Sequence, residues 1–291
     1  MIDNHMHLEH YSYSLTSLKE FMEHGRKRGI HEFGFSEHSH HFREFKEIYF
    51  RNVNMDDTPA GKYQKFWMHE EAKSFCYSLE EYVSLIELGK QAGYPLRLGI
   101  EVCYFPGEEE EIRTILKRYP FDYVIGSIHW LDGWGFDTKA DFWLGRDVDQ
   151  VFQDYGQKLQ MAIESDLFDI IAHPYSCKAF GAWPKQLNLV PEYMKIATLA
   201  KEHQVALELN SGLAYRYPAA TICPPIELLQ IAANHGCDFS FGSDAHRSTD
   251  CGRGVAYLQQ LAKEVGISEQ PSFDLRQRKD YPLDKRAETL I

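Results

Sequence analysis

The chain has 291 residues, 44% of them hydrophobic and 25% charged, which is enough to build one large domain on the scale of an α/β barrel. Its net charge of −12 excludes the basic track that a long nucleic acid needs to displace counterions, but a small anion stays admissible where bound cations reverse the local field. No apolar run approaches the roughly 18 residues of a membrane span, and the N-terminus starts directly in a strand, so the sequence predicts a cytoplasmic protein with no membrane partner.

Met1-Ile2-Asp3-Asn4-His5-Met6-His7 reads as that first strand. Side chains alternate along a strand, so His5 and His7 share a face and can grip one metal ion, with Asp3 beside them to orient a ligand or join the shell. A helix is expected over Leu15–Gly29, followed by an aromatic strand that stops in Glu37-His38. His38 is the expected ligand there, and His40 and His41 read as a solvated loop. Residues 42–75 are aromatic and charged with little period, which predicts a long insertion of short helical pieces able to cover a site.

A helix over Ser78–Ala92 leads to the strand Pro95–Tyr104, where Glu101 interrupts an apolar run. A carboxylate in that position must be paired or metal-bound, because burying an uncompensated charge is costly. The same rhythm then repeats. Helix Glu109–Tyr119 precedes a strand ending at His129 and Trp130, and a helix near Gln150–Ser165 precedes one that reaches His173. Helix Val190–His203 leads to Val205–Ser211, helix Ile226–His235 leads to Asp238–His246, and a last helix spans Gly254–Val265. The six cysteines contain no C-x-x-C pair and are expected to be reduced and structural, Cys103 and Cys177 included.

Seven alternations of short apolar strands with helices predict a parallel sheet covered on its outer face. Every strand end contributes polar residues and no Gly-rich phosphate loop follows the first strand, so a closed or nearly closed seven-stranded barrel is expected over 1–267. Residues 268–291 read as a polar peripheral extension. The strand ends bring together His5, His7, His38, Glu101, His129, His173, Asp244 and His246. Imidazole and carboxylate without thiolate suit Zn, Mn or Fe, and eight ligands imply two or three divalent ions with Glu101 as the bridge.

His5-x-His7, Ser36-Glu37-His38, Gly99-Ile100-Glu101, Gly126-Ser127-Ile128-His129, Ala172-His173-Pro174 and Gly242-Ser243-Asp244-Ala245-His246 together resemble the ordered motifs of the polymerase-and-histidinol-phosphatase (PHP) family. The form of the second motif and the chain length are most similar to its histidinol-phosphate phosphatase branch. The resemblance implies an α/β fold, the distorted seven-stranded (βα)7 TIM-like barrel, a trinuclear metal centre and phosphomonoester hydrolysis. It further implies one ion at His5, His7, Glu101 and Asp244, a second at Glu101, His129 and His173, and a third at His38 and His246. Two positions depart from the family pattern. Tyr13 stands where another His or Asp is usual, with Glu9 or His10 as substitutes, and Lys178 is the nearest basic residue after the fifth motif.

The expected chemistry is in-line attack on phosphorus by a hydroxide generated at the ions. Lys178 or Arg247 would neutralise the phosphoryl oxygens, Asp244 or His246 would steer the proton, and Asn210 and Trp130 would help bind a small phosphorylated substrate. Three alternatives stay open: another phosphoester such as a nucleoside monophosphate or a phosphotyrosine, an amidohydrolase, and a metal-binding barrel without catalysis. The amidohydrolase would need a bridging Lys, and none stands at a strand end. The oligomeric state is not legible.

Overall fold

The computed structural model describes residues 1–72 and 74–283. Seven strands form one sheet: β1 (Ile2–Met6), β2 (Glu32–His38), β3 (Leu96–Cys103), β4 (Tyr123–Ser127), β7 (Ile170–Ile171), β8 (Ala206–Asn210) and β9 (Phe239–Gly242). The ribbon β5 (Trp130–Leu131) and β6 (Trp134–Gly135) stands apart between β4 and β7. The seven lie in chain order and pair parallel throughout. Past the end of β9, Asp244 N–H donates to His5 O (2.8 Å) and His7 N–H donates to Ala245 O (2.9 Å), so the first and last strands meet at the mouth. The barrel is nearly closed.

The helices are α1 (Leu15–Lys27), α2 (Lys46–Asn52), α3 (Pro59–Phe66), α4 (Leu79–Gln91), α5 (Glu109–Leu116), α6 (Val148–Glu164), α7 (Val190–Glu202), α8 (Gly212–Arg216), α9 (Ile226–Asn234) and α10 (Val255–Glu264). Their starts follow local chemistry. Ser14 and Asp147 accept backbone N–H groups at the heads of α1 and α6, and Ser78 with Glu81 forms a reciprocal capping box on α4. None of these helices is long and apolar enough to cross a membrane.

Strand alternation sorts the core into two compartments. Leu98, Ile100, Val102, Val124, Leu207, Leu209, Phe239 and Phe241 join the large core beneath the helices. Tyr123, Ile125, Ile170, Ala172 and Ala206 form a separate cluster inside the barrel. The Tyr123 ring fits because its neighbours are glycines: a Cβ at Gly34 or Gly99 would come within 2.2 or 2.4 Å of it. Along the inward positions the lining changes from apolar at the strand starts to ionisable at the strand ends.

The tail corrects the sequence reading. Residues 268–283 are not peripheral, because β10 (Glu269–Asp274) and β11 (Gln277–Pro282) form an antiparallel hairpin across the strand starts. Phe273 is buried in the inner cluster, and Asn4 donates to the Pro271 carbonyl. Arg276 pairs with Asp169, and Arg278 pairs with Asp238. The hairpin looks polar because its partners are carboxylates just ahead of the barrel strands. The rest of the tail, 284–291, lies outside the described residues.

Residues 42–75 are as irregular as expected, with α2, α3 and a π-helical turn over Trp67–Glu71. The segment packs on the ribbon through Gln64, whose amide bridges Asn54 O, Gly133 O and Gly135 N. Its return is fixed by Phe75 N–H to His40 O (2.8 Å) and Tyr77 N–H to His41 O (3.1 Å).

Candidate metal centre

Glu101 stands at the centre of the mouth with 1% exposure. Its inward position on β3 puts one oxygen 3.1 Å from His173 Nε2 and 3.7 Å from His129 Nε2. The other oxygen is 2.6 Å from His38 Nδ1, 3.4 Å from His5 Nε2 and 3.7 Å from His7 Nε2. Asp244 completes this side, with Oδ1 3.3 Å from His7 Nε2 and 3.6 Å from His246 Nδ1. All eight ligands expected from the sequence therefore converge. Their donor atoms cluster as His5–His7–Asp244, Glu101–His129–His173 and His7–His38–His246.

The backbone is bent to achieve this. His173 (φ 27°) and Asp244 (φ 54°) take left-handed conformations that side-chain-bearing residues rarely adopt, a strain typical of functional sites. Gly242 gives room just below: a Cβ there would come within 2.1 Å of Glu208 Oε1 and 2.6 Å of the His5 Cβ.

Charges and tautomers fit cations. Burial would raise the Glu101 carboxyl, but His38 and His5 outweigh it and hold the group well below its usual range. Burial opposes charge on His5, yet Glu208, Glu101 and Asp244 raise it well above its ordinary value. The same balance, through Asp244 and Glu37, lifts His7 to about 9, and Cys103 and Asp137 lift His129 to about 10. His5 Nδ1 donates to Glu208 Oε1 (2.7 Å), which leaves Nε2 as the nitrogen that faces Glu101. His5 Nε2, both His7 ring nitrogens and Glu101 Oε2 have no hydrogen-bond partner among the described residues.

One contact is especially telling. His38 Nε2 and His246 Nε2 approach each other to 3.3 Å, while the other nitrogen of each ring lies against an oxygen, His38 Nδ1 at Glu101 (2.6 Å) and His246 Nδ1 at Asp244 O (2.9 Å). That spacing is close to the roughly 3.4 Å between two imidazole nitrogens on one tetrahedral cation. Buried donors without partners, all nitrogen and carboxylate oxygen, suit a divalent transition metal. These are the residues of the mouth that could hold a metal.

Other expectations are met differently. Trp130 lines the cleft, which has a volume near 270 Å³. Lys178 is buried and donates to Ile222 O (2.5 Å), and Arg247 is exposed away from the cleft. Asn210 donates to Glu208 (3.0 Å) and Asp244 (3.4 Å), bracing both carboxylates. Asp3 is not a ligand; it accepts from Ser243, from Gly252 N and from His5 N, tying β1 to the segment after β9. The cysteines are free, but Cys103 lies 3.1 Å from His129 Nδ1, where it orients a ligand.

Sequence reasoning missed Glu208, Arg216 and Asp137. Glu208 interrupts the apolar strand β8 as Glu101 interrupts β3, so the signal was present. Arg216, at the end of α8, pairs with Asp244 and lies 3.0 Å from His246 Nδ1, facing the cleft where Lys178 or Arg247 was expected. Asp137, beyond the ribbon, comes 3.9 Å from His129 Nε2. His40 and His41 are corrected: they are 7% and 1% exposed, because a 3₁₀ turn over Ser39–His41 folds them against the mouth.

Residues 3–212 match the PHP domain family. Three relatives bear the name "Probable histidinol-phosphatase", two of them matching as follows. One, from Deinococcus radiodurans, is 34% identical over 195 residues, 65% of this chain and 73% of its own. The other, from Schizosaccharomyces pombe, is 20% identical over 290 residues, 92% of this chain and 87% of its own. Among solved structures, the histidinol phosphate phosphatase of Lactococcus lactis subsp. lactis, complexed with Zn, L-histidinol and phosphate, superposes with a TM-score of 0.72 at 18% identity. The match covers 96% of this chain and 98% of that one. It is the same fold.

Proposed function

This chain belongs to the PHP domain family, and from that premise we propose that it is a metal-dependent phosphomonoesterase acting on L-histidinol phosphate. The observation that carries the reading is the placement of Glu101, whose two oxygens face separate sets of imidazoles. His5, His7, Glu101 and Asp244 would hold one ion, Glu101, His129 and His173 a second, and His38 with His246 a third. Mn, Zn and Fe are the fitting metals, and the free thiols suit a reducing cytoplasm. Bound there, such ions supply Lewis acidity toward a phosphoryl oxygen and a nucleophile at neutral pH.

The chain's own residues supply the rest. Arg216, oriented by Asp244 beside His246, presents a fixed guanidinium to the cleft, placed to neutralise charge on the phosphoryl oxygens. Asp137 comes 3.9 Å from His129 Nε2 at the cleft, where its carboxyl, raised above its ordinary value by burial, would be placed to pass a proton to the departing alkoxide. Trp130 and Trp67, with ring centroids 5.9 Å apart, wall the side of the cleft where an imidazole-bearing leaving group would rest.

Phosphate release from L-histidinol phosphate, nucleoside monophosphates, phosphotyrosine and an aryl phosphate tests the reading, before and after chelation. Highest kcat/KM on L-histidinol phosphate, abolished by chelator and restored by Mn²⁺ or Zn²⁺, is the expected result. Preference for another ester reassigns the substrate. Absence of chelator-sensitive turnover on every ester leaves a metal-binding barrel without this activity.

A further inference from the structure

Outside the ligand set described above, the mouth holds a second group of chemistry-bearing side chains. Glu9, His40 and His41 place one donor atom each within 4.8 Å of one another. They come from two separate pieces of chain, the turn after β1 and the 3₁₀ turn after β2. His40 is 7% exposed, and its Nε2 has no hydrogen-bond partner among the described residues. A buried imidazole nitrogen left in that state is uncommon, because it has lost its solvation without gaining a partner. His41 Nε2 lies 3.7 Å from Glu9 Oε2, too far for a hydrogen bond and close enough to share a ligand.

We propose that Glu9, His40 and His41 form a further divalent-cation site in the wall of the cleft. It is joined to the His38–His246 pair through the Glu9 carboxylate, much as Glu101 joins the two sides of the main centre. The Glu9 oxygens reach both sides: Oε1 lies 3.6 Å from His246 Nε2, and Oε2 lies 3.7 Å from His41 Nε2 and 3.9 Å from His38 Nε2. Two imidazoles and one carboxylate make a nitrogen-rich set that suits Zn or Fe(II) and not Ca. Ligands of a four-coordinate zinc at about 2.1 Å stand roughly 3.4 Å apart, so the donors need to close by about an ångström, within the reach of side-chain rotation.

The site also has a structural consequence. The carbonyls of His40 and His41 accept from Phe75 and Tyr77. An ion on these imidazoles therefore fastens the return of the 42–75 insertion to the mouth. Trp67, whose ring centroid is 5.2 Å from that of His40, is held in the same way.

Anomalous diffraction at the zinc edge, from crystals of the full chain grown with Zn²⁺, tests this on the unmodified protein. The expected result is a peak bonded at about 2.0–2.2 Å to Glu9, His40 and His41, beside the peaks around Glu101. No peak at Glu9–His40–His41 overturns the site, whatever the state of the main centre. A lack of zinc around Glu101 overturns the proposed function separately. In solution, metal analysis after equilibrium dialysis with Zn²⁺ should give His40→Ala and His41→Ala one bound equivalent fewer than the parent protein. Equal stoichiometry in variants that melt like the parent would mark these imidazoles as packing only.

Discussion

His5 Nδ1 lies 2.7 Å from Glu208 Oε1, and the other oxygen of Glu208 accepts the His173 backbone N–H at 2.8 Å. One carboxylate that faces no cleft thus sets the tautomer of one ligand and the height of another. Glu208→Gln keeps the size and removes the charge. It is expected to weaken metal binding about 10–100-fold, the usual cost of losing such a partner, with the fold retained. Competition against a chromogenic chelator measures it, and unchanged affinity would dismiss this role for Glu208.

Arg216 is the cation that faces the cleft beside His246. Arg216→Met should lower kcat by about 10²–10³-fold, as loss of one fixed donor to a developing charge does elsewhere. Arg216→Lys should recover only part of this, since a single ammonium cannot span Asp244 and the substrate as a guanidinium fork does. Steady-state kinetics on the best ester decides it. Lys178→Met and Arg247→Met serve as comparisons and should be mild.

Metal uptake should be linked to protons. His7 and His129 are raised to about 9 and about 10 in the metal-free chain, so both carry protons at pH 7 that an ion must displace. Affinity should therefore rise with pH up to about 10. Calorimetry in buffers of different ionisation enthalpy should show proton release. The sign for stability follows from the same shifts. The contribution of these raised groups is complete below about 6.5, the ordinary imidazole value, and fades as pH climbs through 9 and 10. Metal-free protein should melt at lower temperature at pH 10 than at pH 7, whereas the loaded protein should not follow that loss.

Phe273 seals the floor. Phe273→Ala removes a buried ring from the cluster with Tyr123, Ile125 and Ile170 and should cost about 3–5 kcal/mol. Urea unfolding monitored by far-UV circular dichroism reads it. Metal content per folded molecule should be unchanged, because the ring lies at the opposite end from Glu101.

What the sequence made legible has a physical boundary. Period-two alternation and abrupt polar strand ends reveal the barrel and its ligands, because a buried carboxylate such as Glu101 must have a reason. The same logic applies to Glu208, although no His or Asp follows it at its strand end. Arg216 and Asp137 leave no periodic trace: each sits several residues past a strand end, on turns whose direction depends on tertiary packing. His40 and His41 read as solvated because adjacent polar residues usually are, and only the 3₁₀ turn folds both inward. The β10–β11 hairpin was hidden by its own charges, which look solvent-directed until Asp169 and Asp238 are placed opposite Arg276 and Arg278.

With Phe273 and the hairpin across the strand starts, the barrel is a blind cup and not a tunnel. Whatever enters must turn round and leave by the same rim. Released phosphate therefore exits past the very groups that drew the ester in, and until it has gone the next molecule cannot settle. Inhibition of turnover by added phosphate is what such a vessel predicts.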